Sequence, residues 1–143
     1  METNQMRLTF KSISENVSFV RATVGAFLAK LNITMDQLYD IKMAVSEAVT
    51  NSIIHGYSGD SENEIELGCM YKIEEQITIE IYVKDTGKGI NDIEQSKQPM
   101  FTTAEDRAGL GFTVMESVID NVCIESEVGK GTTITLHTKL QAI

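Results

Sequence analysis

A carboxylate and a carboxamide four residues apart, Glu47 and Asn51, are followed in order by Asp85-Thr86-Gly87-Lys88-Gly89, Gly109-Leu110-Gly111 and Gly131-Thr132-Thr133. Glutamate can serve as a general base, and asparagine offers a neutral oxygen to Mg²⁺, a cation that keeps few protein ligands and takes the rest from substrate phosphates. An aspartate can accept from the exocyclic amine of adenine, and glycine-rich turns leave backbone amides open to phosphate. Taken in order, the series describes a nucleotide site with hydrolytic or phosphotransfer geometry. Each part alone has a plainer reading. Glu47 and Asn51 could be a solvated helix face, Asp85 could open an Asx turn, and Thr132 could be an ordinary strand threonine.

The elements that must hold these residues decide between the readings. Residues 6 to 13 read as a first strand, after which Val17, Val20, Val24, Leu28 and Leu31 recur at helical spacing on a helix capped near Ser14. A second helix begins after Thr34, carries Leu38, Ile41, Val45, Ala48 and Ser52 on one side, and stops at Gly56. Glu47, Asn51 and His55 fall on a neighbouring face of that helix, with His55 a dipole-compensating residue near its end. Ile65, Leu67, Cys69 and Tyr71 alternate with Glu64, Glu66, Gly68 and Met70, and Ile77, Ile79, Ile81 and Val83 with Thr78, Glu80, Tyr82 and Lys84, which predicts an antiparallel hairpin turning at Glu74-Glu75-Gln76. Asp85 shares parity with the apolar residues of its strand and is expected to face the helix layer. A carboxylate aimed inward is costly without a donor, and adenine supplies one. Thr132 has the parity of Ile134 and Leu136, so its hydroxyl is expected at the same pocket.

Between Gly87 and Ala108 no period emerges, and a loop of that length inside a compact domain is usually a lid or a disordered segment. Gly109-Leu110-Gly111 then precedes a helix over Phe112 to Ile119, so its amides are expected to meet phosphate, with Arg107 ahead of them to reach the terminal phosphate. The last helix is followed by strands at Val122 to Glu127 and Thr132 to Leu140. The predicted fold class is α/β: a two-layer sandwich of a mostly antiparallel sheet with three helices on one face.

Length and composition bound the partners. The chain has 143 residues, enough for one domain, and 42% hydrophobic residues supply a core. A formal charge of −9 disfavours non-specific binding to nucleic acid or an anionic membrane, so a macromolecular partner is expected to be a protein. No signal peptide or apolar span is visible, and a cytoplasmic location is expected. Cys69 and Cys123 are too few for a zinc site and read as structural thiols. Neither a P-loop nor a dinucleotide fingerprint is present.

Three of these motifs match, in order, those of the GHKL superfamily of ATP-binding domains, which spans gyrase-type topoisomerases, certain chaperones, histidine kinases and mismatch-repair ATPases. Glu47 to Asn51 resembles its N box, Asp85 to Gly89 its first glycine box and Gly109 to Gly111 its second, while Gly131-Thr132 resembles its closing element. Within the superfamily, Ser46 to Tyr57 and Gln98 to Thr103 resemble the anti-sigma kinases of spore-forming bacteria. That resemblance implies a homodimeric protein serine kinase using ATP and Mg²⁺. It would bind and inhibit the sporulation sigma factor F, and phosphorylate and inactivate the anti-anti-sigma factor that is its substrate and antagonist. It makes Glu47 the base for the substrate serine, Asn51 the metal ligand, Asp85 the adenine reader and Arg107 a phosphate contact. Gly87, Gly89, Gly109, Leu110, Gly111 and Thr132 would complete the nucleotide site, and Arg21 would contact both competing protein partners. Alternatives are a sister kinase acting on a stress-response sigma factor and an ATP-gated binding module without catalysis. A detached histidine-kinase catalytic domain fits less well, because neither His55 nor His137 precedes the N box on a separate helix.

Overall fold

The computed structural model describes residues 1–56, 63–86, 106–127 and 130–143, with residues 55–56 and 106–110 described as backbone alone. Its strands are β1 (Glu2–Lys11), β2 (Glu64–Ile73), β3 (Gln76–Asp85), β4 (Asn121–Glu127) and β5 (Gly131–Gln141). Its helices are α1 (Glu15–Leu28), α2 (Met35–Asn51) and α3 (Asp106–Val118). The strands form one sheet in the order β1-β2-β3-β5-β4, antiparallel at every pairing.

Period-two alternation puts one face of this sheet under the helices. Leu8, Leu67, Val83, Ile134 and Ile124 form a continuous register row across all five strands. The next row repeats the pattern with Met6, Cys69, Ile81, Leu136 and Val122. Onto these rows pack Val20, Val24 and Leu28 of α1, Ile41, Val45, Ala48 and Val49 of α2, and Phe112 and Met115 of α3, all buried. Burying each of these side chains other than Ala48 contributes about 1.5–3 kcal/mol, so this apolar layer rather than helix propensity holds the helices in place. The opposite face is polar. There Tyr82 lies across Gly68 of the neighbouring strand, and its hydroxyl donates to Glu66 at 2.6 Å. A Cβ at Gly68 would stand 2.1 Å from the Tyr82 ring, so glycine is what lets that ring lie flat.

Several local expectations are corrected. The first strand spans Glu2–Lys11, not 6 to 13, because polar Glu2 to Gln5 extend the ladder opposite Met70 to Ile73. Edge pairing needs only backbone groups, which hydropathy does not register. Ser14 makes no side-chain cap and has helical dihedrals; Asn16 Nδ2 instead donates to the Lys11 carbonyl at 2.9 Å and pins the turn into α1. Thr34 does cap α2, in a capping box with Gln37 worth about 1 kcal/mol. Past Asn51 the helix does not simply run on to Gly56 but widens into a π-helical turn, Ser52–Gly56. The third helix starts at Asp106, so Gly109 and Gly111 lie inside its first two turns rather than ahead of it.

The two cysteines part company. Cys69 faces the core, where burial pushes its thiol up to about 12. Cys123 is exposed and packs no core, contrary to a structural role. No helix among the described residues is long and apolar enough to cross a membrane.

Candidate nucleotide site

The helix side of the site forms where α3 crosses the C-terminal half of α2. A Cβ placed on Gly111 would stand 3.0 Å from Glu47 Oε2 and 3.4 and 3.5 Å from the two terminal atoms of the Asn51 carboxamide. The absence of a side chain at Gly111 therefore lets α3 approach both functional groups at once. A mid-helix glycine costs about 1 kcal/mol against alanine, and this contact gives it a reason to be there. Glu47 is half-buried, whereas Asn51 is 6% exposed and its Nδ2 has no hydrogen-bond partner among the described residues. Ser52, the next residue, is also buried with its hydroxyl unpartnered there. Buried polar groups are normally satisfied, so two adjacent orphans mark a place where a polar ligand or its water belongs.

The sheet side comes from three strand ends in register. Asp85 on β3 pairs with Thr132 on β5, which pairs with Ser126 on β4. All three lie two residues beyond Val83, Ile134 and Ile124, on the face that carries the core. Asp85 is 4% and Thr132 6% exposed, the inward placement that strand parity predicts. The end of β3 is held against the start of β5 by Gly131, which has φ +110°, and a Cβ there would lie 2.2 Å from the Asp85 carbonyl oxygen. The π-helical turn after Asn51 packs on both β3 and β5, joining the helix side to the sheet side. π-turns concentrate at functional sites because the wider turn re-aims the side chains beside it.

This arrangement fits an adenine nucleotide with its cation. A buried carboxylate suits a nucleobase amine, the unpartnered Asn51 Nδ2 suits an acceptor such as a phosphate oxygen while its Oδ1 is the atom a cation would take, and the cradle at Gly111 is one that a Cβ would fill. Among the described residues no three His, Cys, Asp or Glu side chains cluster. Mg²⁺ would thus draw on the Asn51 oxygen and otherwise on phosphate oxygens and water. Gly87, Gly89 and nearly all of the loop from Gly87 to Ala108 lie outside the described residues, as do the side chains of Arg107, Leu110 and His55. Sequence reading missed Ser126, although its parity with Val122 and Ile124 marked it as inward-facing. Arg21 lies apart from this site, on α1, with its guanidinium carbon 5.5 Å from the centroid of the Tyr39 ring of α2.

Comparison with known proteins shows the family and the fold. Residues 10–138 match the family model described as histidine kinase-like ATPase domain. The anti-sigma F factor of Geobacillus kaustophilus is 50% identical, over 93% of this chain and 90% of its own length. That of Clostridium acetobutylicum is 46% identical, over 98% of this chain and 96% of its own. Among solved structures, the RsbU and RsbW domains of a Mycobacterium tuberculosis protein superpose with a TM-score of 0.61 at 21% identity, covering 97% of this chain and 33% of that one. The catalytic domain of the histidine kinase ThkA superposes with a TM-score of 0.50 at 17% identity, covering 99% of this chain and 97% of that one. At such identities the two structures speak to the fold alone.

Proposed function

The chain belongs to the anti-sigma F factor family of histidine kinase-like ATPase domains, and from that premise we propose that it is a cytoplasmic, homodimeric anti-sigma factor with serine kinase activity. It binds and inhibits the sporulation sigma factor F. Using ATP, it phosphorylates a serine of the anti-anti-sigma factor that competes with sigma, and so inactivates its antagonist. The whole chain, residues 1–143, acts as one ATP-binding kinase domain. The observation that carries this reading is the approach of α3 to Glu47 and Asn51 at Gly111.

Phosphoryl transfer asks a protein mainly for positioning and charge stabilisation. The serine oxygen attacks the γ-phosphorus as the bond to the β-phosphate oxygen breaks, and Glu47 accepts the serine proton. Bound Mg²⁺ would offset phosphate charge, with Asn51 as its protein ligand, and Arg107 would contact the terminal phosphate. Gly87, Gly89, Gly109, Leu110 and Gly111 would lie along the phosphates, and Asp85 and Thr132 would hold the adenine. Replacing Asp85 by asparagine turns half of its acceptor set into a donor. ADP affinity should fall by about 1–3 kcal/mol, roughly 5- to 150-fold, in a calorimetric titration, while the thermal melt stays near wild type. Unchanged affinity would remove Asp85 from nucleotide recognition.

Protein partners are assigned to the outer surface of α1 and α2. Arg21 is stacked with Tyr39 there, and the two helices also expose the large apolar side chains Phe19, Met35 and Tyr39. Co-purification with a panel of sigma and anti-anti-sigma factors, with and without Mg-ATP, tests the assignment. Sigma F and the antagonist should both be retained by the wild-type protein, and both weakened by Arg21→Ala. Retention of a stress-response sigma factor but not of sigma F would give the chain to the sister family. For the homodimer, β1 is an edge strand paired only with β2 among the described residues, a surface a second copy could extend.

A further inference from the structure

Arg21 and Lys42 cross between the first two helices in opposite directions. From α1, the Arg21 guanidinium reaches the Tyr39 ring of α2, 5.5 Å from its centroid. From α2, Lys42 lies across α1 at Gly25, where an added Cβ would stand 3.2 Å from Cδ, 3.3 Å from Cε and 3.5 Å from Nζ. Gly25 follows Arg21 by one turn, and Lys42 follows Tyr39 by nearly one, so the four residues share the seam between the helices. Gly25 is buried within α1 and helical, so its backbone does not call for glycine. Glycine weakens a helix interior relative to alanine, and the three atoms nearest its absent Cβ all belong to Lys42. What the glycine accommodates is a single flexible, charged side chain that could otherwise extend into water.

Both cations are thus held in place, one by an aromatic ring and one across a glycine. Neither makes an ion pair among the described residues, whereas Lys30, Lys72 and Lys130 face Glu2, Glu74 and Glu127. Asp36 and Asp40 stand on the same helix as Tyr39 and pair with neither of them. Held charges lose little side-chain freedom on binding, so an outside anion gains most from such groups. We propose that Lys42 is a second docking cation beside Arg21, and that the two receive an acidic segment of the protein partner through its Asp or Glu side chains. The inference rests on the assignment of protein partners to the outer surface of α1 and α2, and adds to it a residue and the chemistry it recognises. A chain of charge −9 repels a long polyanion such as nucleic acid, but a short acidic segment meets these two cations beside the exposed Phe19 and Tyr39. Tyr39 and Gly25 are positioning residues: the ring fixes the guanidinium, and the glycine leaves room for the lysine stem.

The test is the affinity of the full chain for purified sigma F in Mg-ATP and for the antagonist in Mg-ADP, which transfers no phosphate. Calorimetry at about 50 mM and about 500 mM salt would compare wild type, Lys42→Met, Lys42→Arg and Gly25→Ala, with a thermal melt of each. Lys42→Met keeps an apolar stem over Gly25 and removes only the charge. It should bind at least one partner about tenfold more weakly at the lower salt, and by a smaller factor at the higher, with its melt unchanged. Lys42→Arg, which keeps the charge, should bind within about threefold of wild type. Gly25→Ala pushes the stem aside and should weaken the same partner without lowering the melt, because alanine favours the helix. Unchanged affinity for both partners in Lys42→Met would overturn the proposal, as would a loss that salt does not diminish, a loss that Lys42→Arg shares, or wild-type affinity in Gly25→Ala. A wild-type protein that binds neither partner would instead overturn the partner reading itself, and this inference with it.

Discussion

Replacing Glu47 by alanine is expected to slow phosphoryl transfer to the antagonist serine by about 10²–10⁴-fold while ADP still binds. Glu47 is half-buried beside α3, one helical turn before Asn51, so it can meet a substrate hydroxyl without itself being a ligand of the cation. Removing its carboxylate deletes the proposed proton acceptor but leaves Asp85, Thr132 and Asn51 in place. Fold is not at stake, because the lost side chain bears on the site and not on the apolar rows. Transfer from labelled Mg-ATP to the antagonist reads the rate, and titration with ADP reads binding. Glu47→Gln keeps shape and loses basicity, so it should be nearly as slow as alanine. Either variant transferring within about twofold of wild type would take Glu47 out of the chemistry.

The largest loss of stability is expected from Gly131→Ala. At φ +110° an L-residue is strained by about 1–3 kcal/mol on backbone grounds alone. The added methyl would also stand 2.2 Å from the Asp85 carbonyl oxygen, 2.6 Å from the Thr86 Cα and 2.9 Å from the Asp85 carbonyl carbon. These are backbone atoms in a paired strand, and no rotamer change can move them aside. β3 and β5 must separate at that end, at a cost of about 3 kcal/mol or more, which for a chain of this size lowers Tm by roughly 10 °C. Circular dichroism on heating would show it. The separation also pulls Asp85 from Thr132, so nucleotide affinity should fall in the same variant. A melt within about two degrees of wild type would mean that the strand ends are not held as described.

How far the sequence disclosed this molecule depends on the range of the interaction concerned. Period-two and period-3.6 patterns are local, and they placed α1, α2, β2 and β3 and turned Asp85 inward. The capping box at Thr34 is equally local. What was misread required knowledge of a neighbour. Gly111 reads as a residue at a helix start until α2 is seen against it, and only then does its lack of a Cβ become a contact with Glu47 and Asn51. Gly109 and Gly111 read as a turn ahead of the helix whose open amides meet phosphate, but both lie inside it, where tertiary contact outweighs a glycine penalty of about 1 kcal/mol. The polar start of β1 carries no hydropathic signal and is held by its ladder with β2. Ser126 was within reach of strand parity, which turns it inward with Val122 and Ile124, but its pairing with Thr132 is a matter of register between β4 and β5. The π-helical turn leaves no mark in composition that a simple helix ending at Gly56 would not also leave.

The unlike fates of the two cysteines have a practical consequence. With Cys69 sealed in the core and its thiol held protonated, Cys123 is the one sulfur a maleimide dye can reach. It sits on β4 three residues before Ser126, and by strand alternation on the opposite face, so a dye would hang on the outside of the strand whose inner face borders the site. The unmutated chain thus comes with a single optical handle close behind the row of Asp85, Thr132 and Ser126, and nucleotide arrival at the proposed site should be readable as a change in fluorescence without engineering a reporter.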